Sequence, residues 1–445
     1  RSGIADYSAE LLPHLAKELE IEVYTTPRAV RRADPEEGWT TFPYRDFTPR
    51  DRRNRFDLVL YQMGNDDRHH GRIYELLLER PGVVLLHEFL LHHLIRERTL
   101  VAGDADAYVE ELRYSYGATG QAAGRRLVDL DLPLDVWRFP LFERVVDRSL
   151  GVLVHNEFSR RRILAGRPRT RIAIVPSPVG METVSSPGTP EDRSSLRRSL
   201  GLPVEGFLLG SFGLATPLKR LDVALRAFQR LRRNRPDAHY VLVGPVSPYY
   251  DLEGLLSGGL GEGVAVQGRV DLDTFHRSME AVDLAVNLRY PSAGETSATL
   301  LRLMALARPV IVTDHGPSAE LPDDACVKVA PDGFEEPILA EMFEALAADD
   351  ALRRRIGDNA REHIRKHHHP EDTSRGILSF LTAIRKVDPE PPLPVPPLAS
   401  FPPEDVATRT IADIAAGCAD LGVEETDRAL LGAVAEELED LGFGP

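Results

Sequence analysis

Cysteine is scarce in this 445-residue chain, and long apolar runs are lacking. Only Cys326 and Cys418 occur, which excludes a disulfide framework and a thiolate metal site and indicates a reducing compartment. No apolar stretch approaches the length needed to span a bilayer, and no signal peptide pattern is visible. The sequence therefore predicts a cytoplasmic protein.

Positive charge is also in deficit. The formal net charge is −15, and both nucleic acid and anionic membrane would repel that overall field. We therefore expect no nucleic-acid partner. Two local basic runs, Arg50–Arg55 and Arg160–Arg171, are either solvated faces or points of contact with an anionic lipid or acceptor. Peripheral contact with the inner membrane face is therefore an open alternative. Nothing in the sequence indicates an oligomeric state.

The chain is too long for one ordinary core, and short apolar runs alternate with amphipathic segments, which is typical of βαβ units around parallel sheets. The first set of predicted strands is Ile21–Thr25, Asp57–Gln62, Val83–His87, Gly151–Val154 and Ile172–Val175. The second set is Phe207–Phe212, Tyr240–Val243, Val264–Gln267, Leu284–Leu288, Val310–Thr313 and Cys326–Val329. The predicted fold class is α/β, with two doubly wound Rossmann-like domains and a small C-terminal helical appendage.

Proline-rich and glycine-rich stretches set the predicted boundaries. The segments are a first domain at 1–176 with a helical insertion at about 88–148, a linker at 177–204, a second domain at 205–370, a crossing helix at 371–388, a tether at 389–403 and an acidic helical appendage at 404–445. The tether holds eight prolines in fifteen residues. At Arg1 the chain opens directly into a loop and helix, which usually follow a strand, so we expect that a first strand is missing and that the chain is a fragment.

The segment Pro291–Arg302 carries the strongest chemical signal. It joins a buried strand to a helix and puts Glu295 beside Thr296, Ser297 and Ala298 at the helix start. Unpaired N–H groups and partial positive charge at a helix N-terminus can receive phosphate oxygens, and a carboxylate can accept bonds from sugar hydroxyls. The pattern therefore indicates a site for a phosphorylated sugar. A strand, turn and helix with a capping Thr or Ser would give the same sequence.

Two further segments carry polar residues at strand ends. Lys219 and Arg220 follow the strand at Leu208–Phe212, and cations are unfavourable at a helix start unless a ligand compensates. A solvated cationic helix start is the alternative. His87 ends the strand at Val83–His87, where it is either structural or able to donate and accept near neutral pH. Neither a Ser-His-Asp order nor a close metal-ligand spacing stands out.

This order of segments resembles the GT-B nucleotide-sugar glycosyltransferases, specifically glycosyltransferase family 4, over about residues 1–386. The resemblance implies that the loop containing Gly3 faces the donor phosphates and that Lys219 neutralises the diphosphate. A basic residue of the family falls on Leu214 here, so that Arg220 would substitute for it. The loop at Gln62–Asn65 would line the acceptor side, or be a simple turn.

The family's two-glutamate motif is altered in this chain. Glu295 stands where the first glutamate belongs, near the donor sugar, whereas the second position, on the ribose, falls on Arg302. Gly294-Glu-Thr-Ser297 thus marks a variant branch in which donor binding is partly rewired. The resemblance also implies that His87 approaches the donor sugar. The nucleotide base would lie near Arg269 and Val270.

The sequence and the resemblance together predict a glycosyltransferase of glycan biosynthesis, and the resemblance alone implies that it retains the anomeric configuration. It would move a hexosyl group from a nucleoside-diphosphate sugar to a hydroxyl acceptor, which could be a glycan, a lipid-linked molecule or a small molecule. No cofactor and no bound metal would be required, because Lys219 and Arg220 replace a divalent cation. Two alternatives stay open: a non-catalytic sugar-nucleotide-binding scaffold, and a nucleotide-sugar epimerase of the same fold, which would need a pair of acid/base carboxylates that the sequence does not reveal.

Overall fold

The computed structural model describes residues 3–26, 38–51, 56–180 and 190–386. The predicted tether at 389–403 and the appendage at 404–445 lie outside these residues, as do 181–189 of the predicted linker, 52–55 of the first basic run, 387–388 of the crossing helix, and Cys418. The chain divides into a larger unit, residues 1–108 and 134–393, and a smaller one that includes 109–133. Both large sheets belong to the larger unit.

All described strands pair in parallel. The strands are β1 Ile21–Thr25, β2 Trp39–Pro43, β3 Leu60–Met63, β4 Val83–Leu86, β5 Gly151–Val154, β6 Ile172–Ile174, β7 Leu208–Phe212, β8 His239–Val243, β9 Val264–Val266, β10 Leu284–Asn287, β11 Val310–Thr313 and β12 Val327–Val329. They form a two-stranded sheet, β1-β2, a four-stranded sheet, β3-β4-β5-β6, and a six-stranded sheet, β12-β11-β10-β7-β8-β9.

The helices lie mainly between these strands. They are α1 Gly3–Leu15, α2 Phe47–Asp51, α3 Asp67–Glu79, α4 His92–Arg96, α5 Ala105–Leu130, α6 Glu143–Arg148, α7 Glu157–Gly166, α8 Pro190–Ser199, α9 Leu221–Asn234, α10 Leu252–Leu255, α11 Leu272–Ala281, α12 Ala298–Ala305, α13 Glu335–Ala348, α14 Asp350–His367 and α15 Pro370–Lys386. Short 3₁₀ turns occupy Tyr44–Asp46, Pro217–Lys219 and Gly316–Glu320, and π-helical turns occupy Glu97–Val101 and Leu256–Leu260.

The six-stranded sheet has the Rossmann strand order 3-2-1-4-5-6 and confirms the doubly wound prediction for the second domain. Its central strands read as continuous apolar runs because helices cover both faces. Helix α9 places Leu221, Ala224, Leu225 and Phe228 on one face, and all four are buried. Full burial of Phe228 contributes about 2–3 kcal/mol.

The first domain differs from the prediction in one strand. Ile21–Thr25 was expected in the first doubly wound sheet, but among the described residues it pairs only with Trp39–Pro43. This partner strand was missed because its five residues lie close to charged residues and end in proline. The strand predicted at Asp57–Gln62 begins three residues later, at Leu60. Other predicted strand ends agree within a residue or two.

The chain returns to the first domain at its described C-terminal end. Ile377 and Ile384 of α15 are buried in a cluster that includes Leu11 of α1 and Val83 of β4. The two chain segments that cross between the domains are hydrogen-bonded to each other, since the Val179 N–H donates to the His368 carbonyl at 2.8 Å. Helix α15 therefore fixes the second domain to the core of the first.

Candidate functional site

The site lies where the strand order of the six-stranded sheet reverses. Strands β7 and β10 are neighbours there, and the connections that follow them run in opposite directions around the sheet. Such a reversal leaves a crevice at the carboxyl ends of the strands, the usual ligand position in open α/β sheets. The loops at 213–220 and 288–297 border this crevice. They contain Lys219, Arg220, Glu295, Thr296 and Ser297 of the site residues that the sequence predicted.

Lys219 folds back over the end of β7. Its Nζ donates to the Phe212 carbonyl, and a Cβ placed on Gly213 would lie 3.0 Å from this Nζ. Gly213 has φ +89°, so a residue without a side chain suits both the turn and the close approach. Burial, and secondarily the charge of Arg289, lowers the pKa of Lys219 to about 7. A negatively charged ligand beside Lys219 would therefore favour the protonated form of its amine.

Arg289 is one of the residues at the crevice that sequence reasoning missed. It follows β10 at the strand reversal, and its backbone N–H donates to Thr313 Oγ1 at 2.9 Å. Its guanidinium donates to Glu295 Oε1. The available signal was a basic residue directly after a buried strand. Leu214, on which the resemblance places a basic residue of the family, is about half exposed, and Arg289 is a basic residue on the neighbouring loop.

Glu295 faces a second carboxyl across the crevice. Glu295 Oε2 accepts a hydrogen bond from Ser292 Oγ at 3.3 Å. Glu88, at the end of β4, accepts one from the Asn65 N–H at 3.1 Å. Burial, and then the charge of Glu295, raises the pKa of Glu88 to about 7, although Arg289 and the Asn65 bond act in the opposite direction. The two carboxyls and the guanidinium form one electrostatic cluster.

The start of α12 is capped by the chain itself. Ser297 Oγ accepts from the Leu300 N–H at 3.2 Å, and Thr296 Oγ1 accepts from Asn156 Nδ2 at 3.1 Å. Both hydroxyls therefore have structural partners, as the simpler interpretation of the sequence expected. Ala298 is exposed at the first turn. The backbone N–H groups of this turn are the part of the segment suited to an anion.

Arg220 is held away from Lys219 by a buried partner. It has a left-handed backbone with φ +49°, and its Nε donates to Glu335 Oε2 at 2.6 Å. Glu335 is 1% exposed, and the Arg220 guanidinium carbon lies 5.8 Å from the centre of the Tyr290 ring. The local charge of Arg220 is thus compensated within the protein.

His87 has both ring nitrogens engaged. Nε2 lies 2.8 Å from Gln62 Oε1, and Nδ1 lies 3.2 Å from His155 Nε2. The Tyr7 ring meets His87 edge-on, with ring centres 4.8 Å apart. Burial, followed by the neighbouring His155 and His70, holds the pKa of His87 well below its usual value. His87 is therefore neutral at physiological pH, and His155 was not identified from the sequence.

The loop at 288–297, which we call the donor loop, is tied directly to the first domain. The Phe89 N–H donates to the Ala293 carbonyl at 2.8 Å. The Gly294 carbonyl accepts from Asn156 Nδ2 at 2.8 Å and from Ser159 Oγ at 3.0 Å. Gly294 has φ +83°, and a Cβ there would lie 2.3 Å from Ser159 Oγ and 2.6 Å from the Phe89 ring. Only glycine fits this contact.

The remaining predicted residues lie outside the two loops at 213–220 and 288–297. Arg302 donates to Glu10 Oε1 of α1 at 2.5 Å, which links the two domains. Arg269 is exposed and Val270 is half-buried after β9. Gly3 is exposed at the start of α1, and a Cβ there would have no neighbour within 4 Å.

Two searches of the described residues gave no further element of a site. No group of three or more His, Cys, Asp or Glu side chains in those ranges is arranged to hold a metal ion. None of the helices that the structure describes is long and apolar enough to cross a membrane.

Comparisons with known sequences converge on one kind of protein. Residues 206–349 match the family described as glycosyl transferases group 1. A D-inositol 3-phosphate glycosyltransferase of Stackebrandtia nassauensis is 29% identical over 236 residues, which are 50% of this chain and 51% of that protein. An alpha-D-kanosaminyltransferase of Streptomyces kanamyceticus is 25% identical over 239 residues, 49% of this chain and 60% of that protein. The chain spans about half the length of these curated relatives.

Comparisons with solved structures cover more of the chain. Sucrose-phosphate synthase from Thermosynechococcus elongatus matches with a TM-score of 0.62 and 16% identity, over 86% of this chain and 94% of that one. The Anabaena protein Alr3699/HepE in complex with UDP-glucose matches with a TM-score of 0.60 and 15% identity, over 86% and 96%. At such identity the similarity shows the fold alone, and that fold is GT-B.

Proposed function

We propose that this chain transfers a hexosyl group from a nucleoside-diphosphate sugar to a hydroxyl acceptor, since its residues 206–349 match the group 1 glycosyl transferase family. The curated relatives that match about half of the chain are themselves sugar transferases by name. The name of the D-inositol 3-phosphate glycosyltransferase supports a hydroxyl acceptor on a small molecule, and we keep a glycan or a lipid-linked molecule as the other acceptor classes.

One observation carries the proposal: two cations and a helix start converge at the strand reversal of the family domain. The Lys219 amine and the Arg289 guanidinium interact electrostatically, and α12 begins at Ala298 in the loop that follows Arg289. A diphosphate would compensate the charge of Lys219, give Arg289 a second anionic partner beside Glu295, and receive backbone N–H groups of α12. Its negative charge grows as the sugar departs, so preorganised donors there stabilise the transition state more than the ground state.

The opposite end of the donor would meet the carboxylate side of the crevice. Glu295, oriented by Arg289 and Ser292, is suited to accept hydrogen bonds from sugar hydroxyls. His87, neutral and fixed by two partners, would contact the sugar from the first domain. The position of the family's second glutamate is occupied by Arg302, which bonds to Glu10, so the ribose would be held by other groups. We assign the nucleotide base to the region of Arg269 and Val270.

The acceptor would bind on the first-domain side, near Gly3 and the Gln62–Asn65 loop. The hydrogen bonds that join the donor loop to the first domain support a closed cleft in which transfer outcompetes hydrolysis. We further propose retention of anomeric configuration, as the family resemblance implies, independence of a bound metal, and a cytoplasmic location with contact to the inner membrane face where the acceptor is lipid-linked.

The test is a thermal-shift screen of the full chain against UDP, GDP, ADP and their common sugar conjugates. A ligand that binds only the native state raises the melting temperature according to its affinity. We expect a shift for one nucleotide that disappears in Lys219→Ala and persists in Lys366→Ala, a matched change at an exposed lysine.

Turnover then separates the alternatives. Formation of a glycosylated acceptor from the bound sugar conjugate supports a transferase, and an NMR assignment of the product anomer checks retention. Release of the nucleoside diphosphate without a glycosylated product would indicate an epimerase that hydrolyses its substrate. Binding without turnover would identify a scaffold. The proposal fails if well-folded protein shows no shift with any nucleotide.

A further inference from the structure

Two histidines stand side by side at the carboxyl edge of the four-stranded sheet. His87 follows β4 and His155 follows β5, and these two strands are parallel neighbours. His155 Nε2 lies 3.2 Å from His87 Nδ1, and the two ring centres are 5.1 Å apart. Both rings also contact the Tyr7 ring, with centres 4.8 Å and 5.1 Å away. Packing and a shared hydrogen bond therefore hold the pair in one relative orientation.

The histidine pair lies beside the donor loop. Phe89, two residues after the first histidine, donates its N–H to the Ala293 carbonyl at 2.8 Å. Asn156, directly after the second histidine, donates from Nδ2 to the Gly294 carbonyl at 2.8 Å. Each of the two strand ends that carry a histidine thus also contacts the donor loop. These bonds place the pair on the first-domain side of the crevice.

The backbone fixes the position of the hydrogen on His155. Its Nδ1 lies 3.0 Å from the Val175 carbonyl oxygen, and a carbonyl oxygen only accepts hydrogen bonds, so Nδ1 carries the hydrogen. Burial lowers the pKa of His155 to about 4, although the bond to Val175 acts in the opposite direction. The ring is therefore neutral near pH 7 and has a single N–H. Its Nε2 consequently carries a lone pair and accepts from His87.

The same reasoning fixes the hydrogen on His87. Its Nδ1 must donate to His155 Nε2, because that nitrogen is an acceptor. Burial holds the pKa of His87 well below its usual value, so this ring also has one N–H and its Nε2 carries a lone pair. Gln62 Oε1 lies 2.8 Å from this Nε2, and a carboxamide oxygen has no hydrogen to donate. The lone pair thus requires a donor, which is either the Gln62 NH₂ group after a half-turn of the amide or the hydroxyl of a ligand.

We propose that His155 is a positioning residue that fixes His87 as the Nδ1–H tautomer, so that His87 Nε2 accepts a hydrogen bond from a hydroxyl of the donor sugar. The sugar hydroxyl replaces Gln62 as the partner of Nε2. No proton leaves the ring and no bond to carbon changes, so the arrangement serves recognition of the sugar and is independent of the stereochemical course of transfer. This assignment rests on the proposed function and deepens it, because it adds a residue that favours donors with a hydroxyl at this point.

The first experiment observes the tautomer directly. The full chain is labelled with nitrogen-15 histidine, and NMR correlation of the ring nitrogens with the carbon-bound ring protons near pH 7 shows which nitrogens carry hydrogen. His87→Gln identifies the His87 signals by their loss. Ligand-free wild type should show His87 with a protonated Nδ1 and a lone pair on Nε2. Protonation of both ring nitrogens of His87, or of Nε2 alone, would overturn the assignment.

Two substitutions of His155 test its role in the same spectrum. His155→Phe keeps an aromatic ring against Tyr7 but removes the acceptor, so that His87 should carry its hydrogen on Nε2 and donate to Gln62 Oε1. His155→Gln supplies an amide oxygen that accepts from His87 Nδ1, and it should preserve the wild-type tautomer. His69→Asn, at an exposed position on α3, is the matched control and should leave the His87 signals unchanged.

Calorimetry then separates recognition of the sugar from recognition of the diphosphate. The ligands are UDP, GDP and ADP and their glucose and mannose conjugates. His155→Phe should bind the nucleoside diphosphate within about threefold of wild type, because the sugar is the part of the donor that meets His87. It should bind the sugar conjugate about 10-fold more weakly, since the sugar hydroxyl no longer meets a lone pair. His155→Gln should bind the conjugate within about threefold of wild type.

Failure of this assignment can be told apart from failure of the proposed function. If His155→Phe leaves the His87 tautomer unchanged, or weakens diphosphate and conjugate equally, His155 does not position His87 for the sugar. Should His155→Phe not fold, the wild-type spectrum and His155→Gln still decide the tautomer. Absence of binding of every nucleotide by wild type would refute the donor site and the sugar contact with it, whatever tautomer the ligand-free protein shows.

Discussion

Binding of a nucleoside diphosphate should be accompanied by proton uptake at Lys219. In the ligand-free protein the amine is buried beside the Phe212 carbonyl and near Arg289, and its pKa is about 7. A diphosphate places negative charge against it, which favours the ammonium form and returns the pKa toward the usual value of about 10.4. Above pH 7 the bound complex therefore holds more protons than the free protein and free ligand.

The expected number of protons follows from these values. At pH 8 an amine with a pKa of about 7 is roughly 10% protonated, whereas with a pKa of about 10 it is almost fully protonated, so binding should take up about 0.9 proton. At pH 6 the amine is already about 90% protonated and the uptake should fall to about 0.1. Isothermal titration calorimetry in phosphate and Tris measures the uptake, because the apparent enthalpy changes with buffer ionisation in proportion to the protons exchanged.

Two variants identify the titrating group. Lys219→Met should abolish most of the uptake at pH 8 and weaken binding, while Lys366→Met at an exposed position should alter neither. Glu88, with a pKa also near 7, could gain a proton beside the phosphates, and Glu88→Gln removes that contribution. Tight binding by wild type with less than about 0.2 proton taken up at pH 8 would refute the reasoning, as would an uptake that survives both substitutions.

Three further predictions concern the groups around the donor loop. Gly294→Ala should lower the free energy of unfolding by about 1–2 kcal/mol or more, because it adds left-handed backbone strain to a clash with the first domain. Gly258→Ala, where no atom lies within 4 Å of the added Cβ, should have little effect. Equal melting temperatures for the two variants would contradict this prediction. Glu335→Gln should lower the free energy of chemical unfolding by about 2–3 kcal/mol, since it leaves Arg220 without its buried anionic partner. An unchanged unfolding free energy would mean that this ion pair does not stabilise the fold. Arg289→Gln should weaken nucleotide affinity about 10-fold or more. It should also reduce proton uptake at pH 8, because the pKa of Lys219 in the free protein rises when the adjacent charge is removed. An unchanged affinity and an unchanged proton uptake would exclude Arg289 from the site.

The sequence predicted the fold well because the patterns that define strands and helices are set by residues that are close together in the chain. Apolar runs such as Val83–Leu86 and Val310–Val312 are covered on both faces and consequently lack polar residues. Amphipathic helices between them then imply parallel sheets, whose short connections leave few topologies. The strand at Trp39–Pro43 escaped because five residues beside a charged stretch give too little periodicity for recognition.

The sequence also predicted Lys219 and Glu295 as site candidates, because each directly follows a strand and therefore lies at the carboxyl edge of a sheet. It could not predict what faces them. Glu88 and Arg289 come together only when the two domains meet across the donor loop. Likewise Arg220, adjacent to Lys219 in the chain, is drawn to Glu335, which lies 115 residues away in sequence.

By itself the sequence determined which segments become strands and helices, because hydrophobic period and capping residues act over a few neighbours. Only the tertiary structure decided which charges compensate one another. The pKa values of Lys219 and Glu88 depend on burial and on charges brought close by long-range contacts. Desolvation and Coulomb interactions act through space and are not encoded in sequence spacing, so proton chemistry in this crevice emerged only with the fold.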